Sequence, residues 1–377
     1  MQNLASPDSG WLDILSRLPP ELDLNQLARE TGAIQRYRGI ADARDLLRLG
    51  LTRGPGGKSL KQTVAWAFMS GVAELSAPSL SDRLHQSVNF FAELTSRLLA
   101  ADRPAQPSLW HGRCLHLCDA TTLSQRASKG TDWRIHATYD LGRGRFSHLE
   151  LTDGTGAEAL HRTVCDDGAV MIADRGYAKA GEMATFRLGS GGTPKDFIVR
   201  TGWNMLRLET MDGKPFDLTA VLRRMDQEPG ADPLNAPREW AVHALYGRAK
   251  TIKRLPIRLV ILPLPAEQAE IARKKVRRSA SKRQYKVDPS SILAAGFMML
   301  ATSLPADIPA SEICAVYRLR WQIELAFKRL KSLIRIDRIP TQTKAGGLSW
   351  LYPHLILALL TDDICQEILE SFPSGLC

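Results

Sequence analysis

Residues 317–331 read YRLRWQIELAFKRLK. The stretch has no Pro or Gly and is rich in helix formers, so a helix is expected. At about 100° per residue, Tyr317, Arg320, Glu324 and Lys331 fall at roughly 0°, −60°, −20° and −40° on the wheel. They share one narrow stripe. Leu319, Ile323, Ala326, Leu330 and Leu333 gather near roughly 160–240°. The helix is expected to pack by that apolar side and to present the polar stripe at the edge of the contact. An acid flanked by two cations and a phenol suits a metal ion beside a phosphate backbone. The alternative is a solvated face with i,i+4 pairs such as Arg320–Glu324 and Glu324–Lys328. Partners for Glu324 elsewhere in the chain decide between the two.

Two such partners stand out. LHLC alternates as a strand that ends at Asp119 (LHLCDATT), and AVMIA is a compact apolar run that ends at Asp174 (VMIADRGY). A lone Asp at a strand end is usually a turn or cap residue. In an open α/β sheet, strand ends are also where catalytic side chains collect. Two strand-end Asp residues and a helical Glu could hold two metal ions about 3.5–4 Å apart. Hard oxygen ligands suit Mg²⁺, with Mn²⁺ able to substitute, rather than zinc. Such a pair would activate water or a 3′-hydroxyl for attack at phosphorus.

The spacing Y-x2-R-x3-E-x6-K resembles the signature of the DDE-type cut-and-paste insertion-sequence transposases of the IS-four family. DATT around Asp119 and ADRGY around Asp174 are similar to the contexts of that family's two catalytic Asp residues. The resemblance spans roughly residues 24–370 and is strongest at these three blocks. It implies an RNase H-like mixed sheet with Asp119, Asp174 and Glu324 as metal-binding catalytic acids. Tyr317, Arg320 and Lys331 would hold phosphates of a transposon end, and Arg200 in FIVRT would approach the DNA at the active site. The implied partners are double-stranded DNA, as transposon ends and target, and a second copy of the chain in a homodimeric synaptic complex. Glu324 follows Asp174 by 150 positions. That interval matches members with a β-rich insertion before the final acidic helix. Relatives that form hairpin DNA ends place a stacking Trp in the strand before that helix. Here Phe297, Met298 and Met299 occupy the strand, so Phe297 and Met298 are the base-stacking candidates.

Charge points the same way. The chain of 377 residues carries a net charge of +10. From Arg248 to Lys286 there are thirteen Lys or Arg against two Glu, so this one segment accounts for the whole of the excess. One-signed concentration is the footprint of a phosphate-backbone binder, with Lys274 and Arg277 as candidate contacts. No apolar run is long enough to cross a bilayer, no signal peptide is evident at the N-terminus, and no amphipathic helix with exposed aromatics suggests a membrane partner. The expected location is the cytoplasm, in contact with the nucleoid. The six cysteines are scattered and fit reduced thiols; the spacing of His111, Cys114, His116 and Cys118 lacks a zinc knuckle.

The expected architecture is α/β. Residues 1–105 form a helical, DNA-binding domain, with helices at 24–34, 59–73 and from Ser79. Residues 106–205 begin the RNase H-like core, with strands at 114–118, 133–139, 145–151, 169–173 and 196–201 and a short helix at 156–164. Residues 206–292 form a β-rich basic insertion subdomain with one helical excursion. The core resumes over 293–340, and 341–377 form a short helical tail. Two other functions stay open: a DNA-binding protein without catalysis, and a nuclease of this fold that never joins ends. Joined target products separate a transposase from both.

Overall fold

The chain opens with six short helices: α1 (Ser9–Ser16), α2 (Leu24–Glu30), α3 (Ala43–Arg53), α4 (Leu60–Met69), α5 (Ala77–Gln86) and α6 (Val88–Ala100). Side-chain caps set several starts. Asp23 accepts from the N–H groups of Asn25 and Gln26, and reciprocal capping boxes join Asp42 to Asp45 and Ser59 to Gln62. The single helix expected from Ser79 is two helices, because Ser76 caps α5 and the chain breaks at Ser87. The Ser87 hydroxyl donates back to the Arg83 carbonyl at 2.7 Å. The computed structural model describes residues 9–371 apart from 36–38, 102–109, 126–127, 129, 190–193, 228–236, 249, 334–338 and 342, and does not describe the side chains of 329–333 and 362–371.

From residue 115 onward the described strands join one sheet. In chain order come β1 (Leu115–Leu123), β2 (Trp133–Asp140), β3 (Arg145–Asp153), β4 (Val170–Ala173), α7 (Ala180–Leu188), β5 (Asp196–Thr201), β6 (Arg207–Thr210) and α8 (Leu218–Gln227). Then come β7 (Arg238–Tyr246), β8 (Lys253–Pro263), α9 (Ala266–Lys282), α10 (Pro289–Ala294), β9 (Phe297–Thr302), α11 (Ala310–Arg318), α12 (Trp321–Leu333) and α13 (Lys344–Ser371). The nine strands run in the order β3-β2-β1-β4-β5-β9-β8-β7-β6. β4 and β5 are parallel to β1, and the remaining pairs are antiparallel. The expected helix at 156–164 is only a 3₁₀ turn, Leu160–Arg162.

The strands of 206–292 do not build a sheet of their own. β8 pairs with β9 from Arg258↔Thr302 to Pro263↔Phe297, so β6, β7 and β8 extend the main sheet. The segment also contains three helices, α8, α9 and α10.

Side chains alternate across the sheet and feed two cores. Leu117, Ile135, Ile172, Ile198 and Leu300 face α11, α12 and α13. Cys118, Met171, Phe197, Val199 and Ala301 face α7, α8 and α10. α13 is shared between cores: Trp350, Leu351 and Leu355 join the first, while Ile356 and Leu360 join the core of the N-terminal helices. Among the described residues, no helix is long and apolar enough to cross a membrane.

Candidate active site

The parallel ladder between β1 and β4 positions two acids. Its pairs run from Leu115↔Val170 to Cys118↔Ala173. Asp119 and Asp174 are each the next residue, so they stand side by side at the end of that ladder. Asp119 does not close its strand as expected. It lies mid-way along β1, which runs on to Leu123 because β2 continues the pairing (Asp119↔Ala137, Ala120↔His136) after β4 has ended. Asp174 does follow its strand, and leads into the 3₁₀ turn Arg175–Tyr177. Both acids alternate with side chains of the α12-facing core, Leu117 and Ile172, and so point toward α12.

The stripe on 317–331 does not lie on one straight helix. α11 ends at Arg318 and α12 starts at Trp321. Between them the backbone tightens to i→i−3 bonds: Leu319 N–H to Val316 O at 3.0 Å and Arg320 N–H to Tyr317 O at 3.1 Å. The core imposes this. On one straight helix Tyr317 and Ile323 would diverge by about 120°, yet both are buried in the same core. The break leaves Arg320 at the junction, over the two Asp residues.

Arg320 ties the acids together. Its Nη1 lies 3.5 Å from Asp119 Oδ2, and its Nη2 donates to Glu324 Oε1. The i,i+4 pair Arg320–Glu324 therefore forms, but it is part of a wider cluster rather than an isolated surface pair. Only 15% of the Arg320 side chain is exposed. Burial opposes its charge, but Tyr317, Glu324 and Asp174 outweigh that and hold the guanidinium protonated more firmly than usual. Burial raises the Asp119 carboxyl to about 6, against the Ala120 N–H and Arg320, which lower it; the charges of Glu158 and Asp174 add to the rise. Tyr317 is buried, and among the described residues its hydroxyl makes no hydrogen bond of ordinary geometry. Burial and the charge of Asp174 raise its pKa.

The donor set fits a hard divalent cation. The acids offer carboxylate oxygens only, and Asp174 Oδ1 is buried with no hydrogen-bond partner among the described residues. Among the described residues, however, no three His, Cys, Asp or Glu side chains are drawn together closely enough to hold a metal ion. Glu324 is turned to Arg320 instead.

Other expected residues divide. Arg200 lies on β5 on the acids' side of the sheet and is close enough to act on the Tyr317 hydroxyl. Met298 is partly buried and packs on the α12-facing core. Phe297 is not a stacking candidate: alternation along β9 turns it to the other face, where it is 5% exposed in the second core. Trp321, next to Arg320 in the chain, is 52% exposed. Lys331 belongs to α12, but its side chain lies outside the described residues. Lys274 and Arg277 are exposed on α9. Arg277 is paired with Glu270 at 3.4 Å. β8 ends at the sheet edge where β9 begins and β5 ends, so α9 starts at the same edge as Asp174.

With this geometry in place, comparison with known proteins decides the family. Residues 110–360 match the family model described as the transposase DDE domain. The chain belongs to the DDE transposases. It is 36% identical over 366 residues to the transposase for insertion sequence element IS421 of Escherichia coli, covering 96% of this chain and 95% of that one. The InsL protein of element IS186A, from Escherichia coli strain K12, is 36% identical over 365 residues with the same coverage. These relatives place the transposase in the IS-four family. Among solved structures, the piggyBac transposase synaptic complex with hairpin DNA aligns at a TM-score of 0.50 and 9% identity. It covers 97% of this chain and 77% of that one, a likeness of fold.

One acid of the transposase escaped the sequence reading. Glu158, in the connection between β3 and β4, lies where its charge acts on Asp119 and on the buried Tyr177. Lys179 Nζ donates to the Glu158 carbonyl at 2.6 Å and holds the segment over the 3₁₀ turn. Gly176 in ADRGY was the available signal: a residue without Cβ, two places after a catalytic candidate, marks a close approach.

Proposed function

We propose that this transposase binds the terminal inverted repeats of its element, cleaves the ends and joins them to target DNA, using Asp119, Asp174 and Glu324 with two Mg²⁺ ions. The observation that carries the reading is the convergence of Asp119, at the end of the β1–β4 ladder, Glu324 and the shared Arg320 at one sheet edge. The strand order β3-β2-β1-β4-β5, with β4 and β5 parallel to β1, supports an RNase H-like core. The domain reading stays as 1–105 for DNA binding, 106–205 and 293–340 for the core, 206–292 for the insertion and 341–377 for the tail, with a homodimer as the synaptic unit and the nucleoid as its place of work.

The metal pair would supply an activated water or 3′-hydroxyl and stabilise the leaving oxygen. The chain's own residues do the rest. Asp119 and Asp174 present adjacent carboxylates from a rigid two-strand frame. Arg200, Arg320 and Lys331 hold backbone phosphates by charge-assisted bonds, and Tyr317 orients that contact through its hydroxyl. Lys274 and Arg277 on α9 guide the duplex toward the catalytic edge. Met298 wedges against an unstacked base.

The test is strand cleavage and transfer with Mg²⁺ on DNA carrying the element's ends. Asp119→Asn, Asp174→Asn and Glu324→Gln should each abolish joined products while DNA binding persists. Full activity in any of them removes that residue from the site.

A further inference from the structure

Arg320 and a metal ion require the same oxygens. Asp119 Oδ2 and Glu324 Oε1 both face the guanidinium, and Asp174 lies within its electrostatic reach. Arg has five donors, no acceptor and a permanent charge, so it competes with a divalent cation for carboxylate lone pairs. As the residues stand, Glu324 serves Arg320, and among the described residues no three ligands converge. A planar guanidinium also matches a phosphate, and a phosphodiester brings the negative charge that would draw it off the acids.

We propose that Arg320 is an internal gate: in the DNA-free chain it holds Asp119 and Glu324 as a surrogate cation, and DNA phosphate draws it away so that the acids can take metal. This rests on the reading of Asp119, Asp174 and Glu324 as the metal-binding acids and adds its regulation. The geometry suits a two-position residue. Arg320 is on the tightened turn between α11 and α12, outside both helices; the Arg320 N–H to Tyr317 O bond fixes its backbone, while the guanidinium at the end of a flexible side chain can change partner. Arrival of DNA and loading of metal are then coupled, each strengthening the other by the same factor. The device would keep the transposase from holding loaded metal, and from cutting indiscriminately, before a phosphate backbone is seated.

Mn²⁺ binding to the full DNA-free chain, read by electron paramagnetic resonance of the free ion, tests the gate. Arg320→Met keeps the stem and removes the charge, and should tighten Mn²⁺ by about tenfold, within the span usual for coupled sites. Arg320→Lys retains a cation and should stay close to wild type. The gain in Arg320→Met should vanish when Asp119→Asn is added. Thermal unfolding with and without Mn²⁺ gives a second measure: Arg320→Met, if destabilised by unpaired acids, should recover more on Mn²⁺ addition than wild type. Unchanged or weaker Mn²⁺ binding in Arg320→Met, with Asp119→Asn still lowering it in wild type, overturns the gate but leaves the acid assignment standing. Mn²⁺ binding indifferent to Asp119→Asn in both backgrounds overturns the acid assignment and the gate together.

Discussion

Gly176 packs directly against the carboxylate of Glu158: a Cβ built on Gly176 would overlap Glu158 Oε2. The obstruction is the far end of a flexible side chain, so Glu158 can swing away at little cost. Its charge is one of those that raise the Asp119 carboxyl to about 6, burial being the largest cause. Gly176→Ala should therefore change stability by less than about 1 kcal/mol while moving the Asp119 carboxyl down toward the usual carboxylate range. Carboxyl carbon shifts in an NMR pH titration measure this. An unmoved Asp119 would show that Glu158 does not act on it.

Acid sensitivity should come from buried histidines. His354 is buried on α13 against Trp350, with ring centroids 3.8 Å apart and Nδ1 2.7 Å from the Trp350 carbonyl oxygen. Burial holds its pKa down at about 4, and burial does the same for His136, also about 4. A depressed histidine leaves stability untouched where both states are neutral. As pH falls below about 6.5 the unfolded chain takes up the proton first. Each such His then costs up to about 1.4 kcal/mol per pH unit until its folded pKa is reached. Urea midpoints should fall between pH 7 and pH 5, and His354→Phe should fall less steeply. An identical slope would mean that His354 titrates alike in the folded and unfolded chain.

Asp196 ties together the start of β5. Arg113 donates to its Oδ2 at 2.8 Å, Arg187 and the Ser303 hydroxyl donate to its Oδ1, and its side chain is 5% exposed. Removing one partner of a buried pair strands the others. Asp196→Ala should lower unfolding free energy by about 3–5 kcal/mol, measured by urea denaturation. Because β5 also carries Arg200, DNA binding should weaken with it.

The basic helix α9 is not uniformly free for DNA. Arg273 donates to Asp226 at 3.0 Å, and Arg277 pairs with Glu270. Lys274, Lys275 and Arg278 are exposed. Replacing those three with Ala should reduce the salt dependence of DNA binding by up to about 2–3 units of log–log slope, measured by fluorescence anisotropy across a salt series. Arg273→Ala should instead lower stability and leave the slope nearly unchanged.

Some of this was legible in residue pattern. Continuous apolar runs mark strands buried on both faces, and Val170–Ala173 and Asp196–Thr201 match the expected strands closely. Capping chemistry placed the start of α4 at Ser59. What failed were features imposed from a distance. Nothing local in DATTL says that β2 will carry β1 past Asp119. No Pro or Gly foretells the break at Leu319 and Arg320, because the shared burial of Tyr317 and Ile323 creates it. The face chosen by Phe297 depends on the register between β9 and β5. Asp119, Asp174 and Glu324 stood out as candidates because their local contexts resemble those of the family; Glu158 did not, because only the fold brings it near Asp119.

The sharing of α13 has a consequence for synthesis. The N-terminal helices bury Leu46, Phe90 and Leu94 in a core whose remaining wall is Ile356 and Leu360. The ribosome makes those two residues some 260 positions after the rest of that core has emerged. Until then the nascent N-terminal half carries an uncovered apolar groove. The N-terminal helices, proposed as the DNA-binding domain, thus reach their finished form only on a chain that already carries Asp119, Asp174 and Glu324, so a product terminated before Ile356 would lack a completed platform with which to compete for DNA.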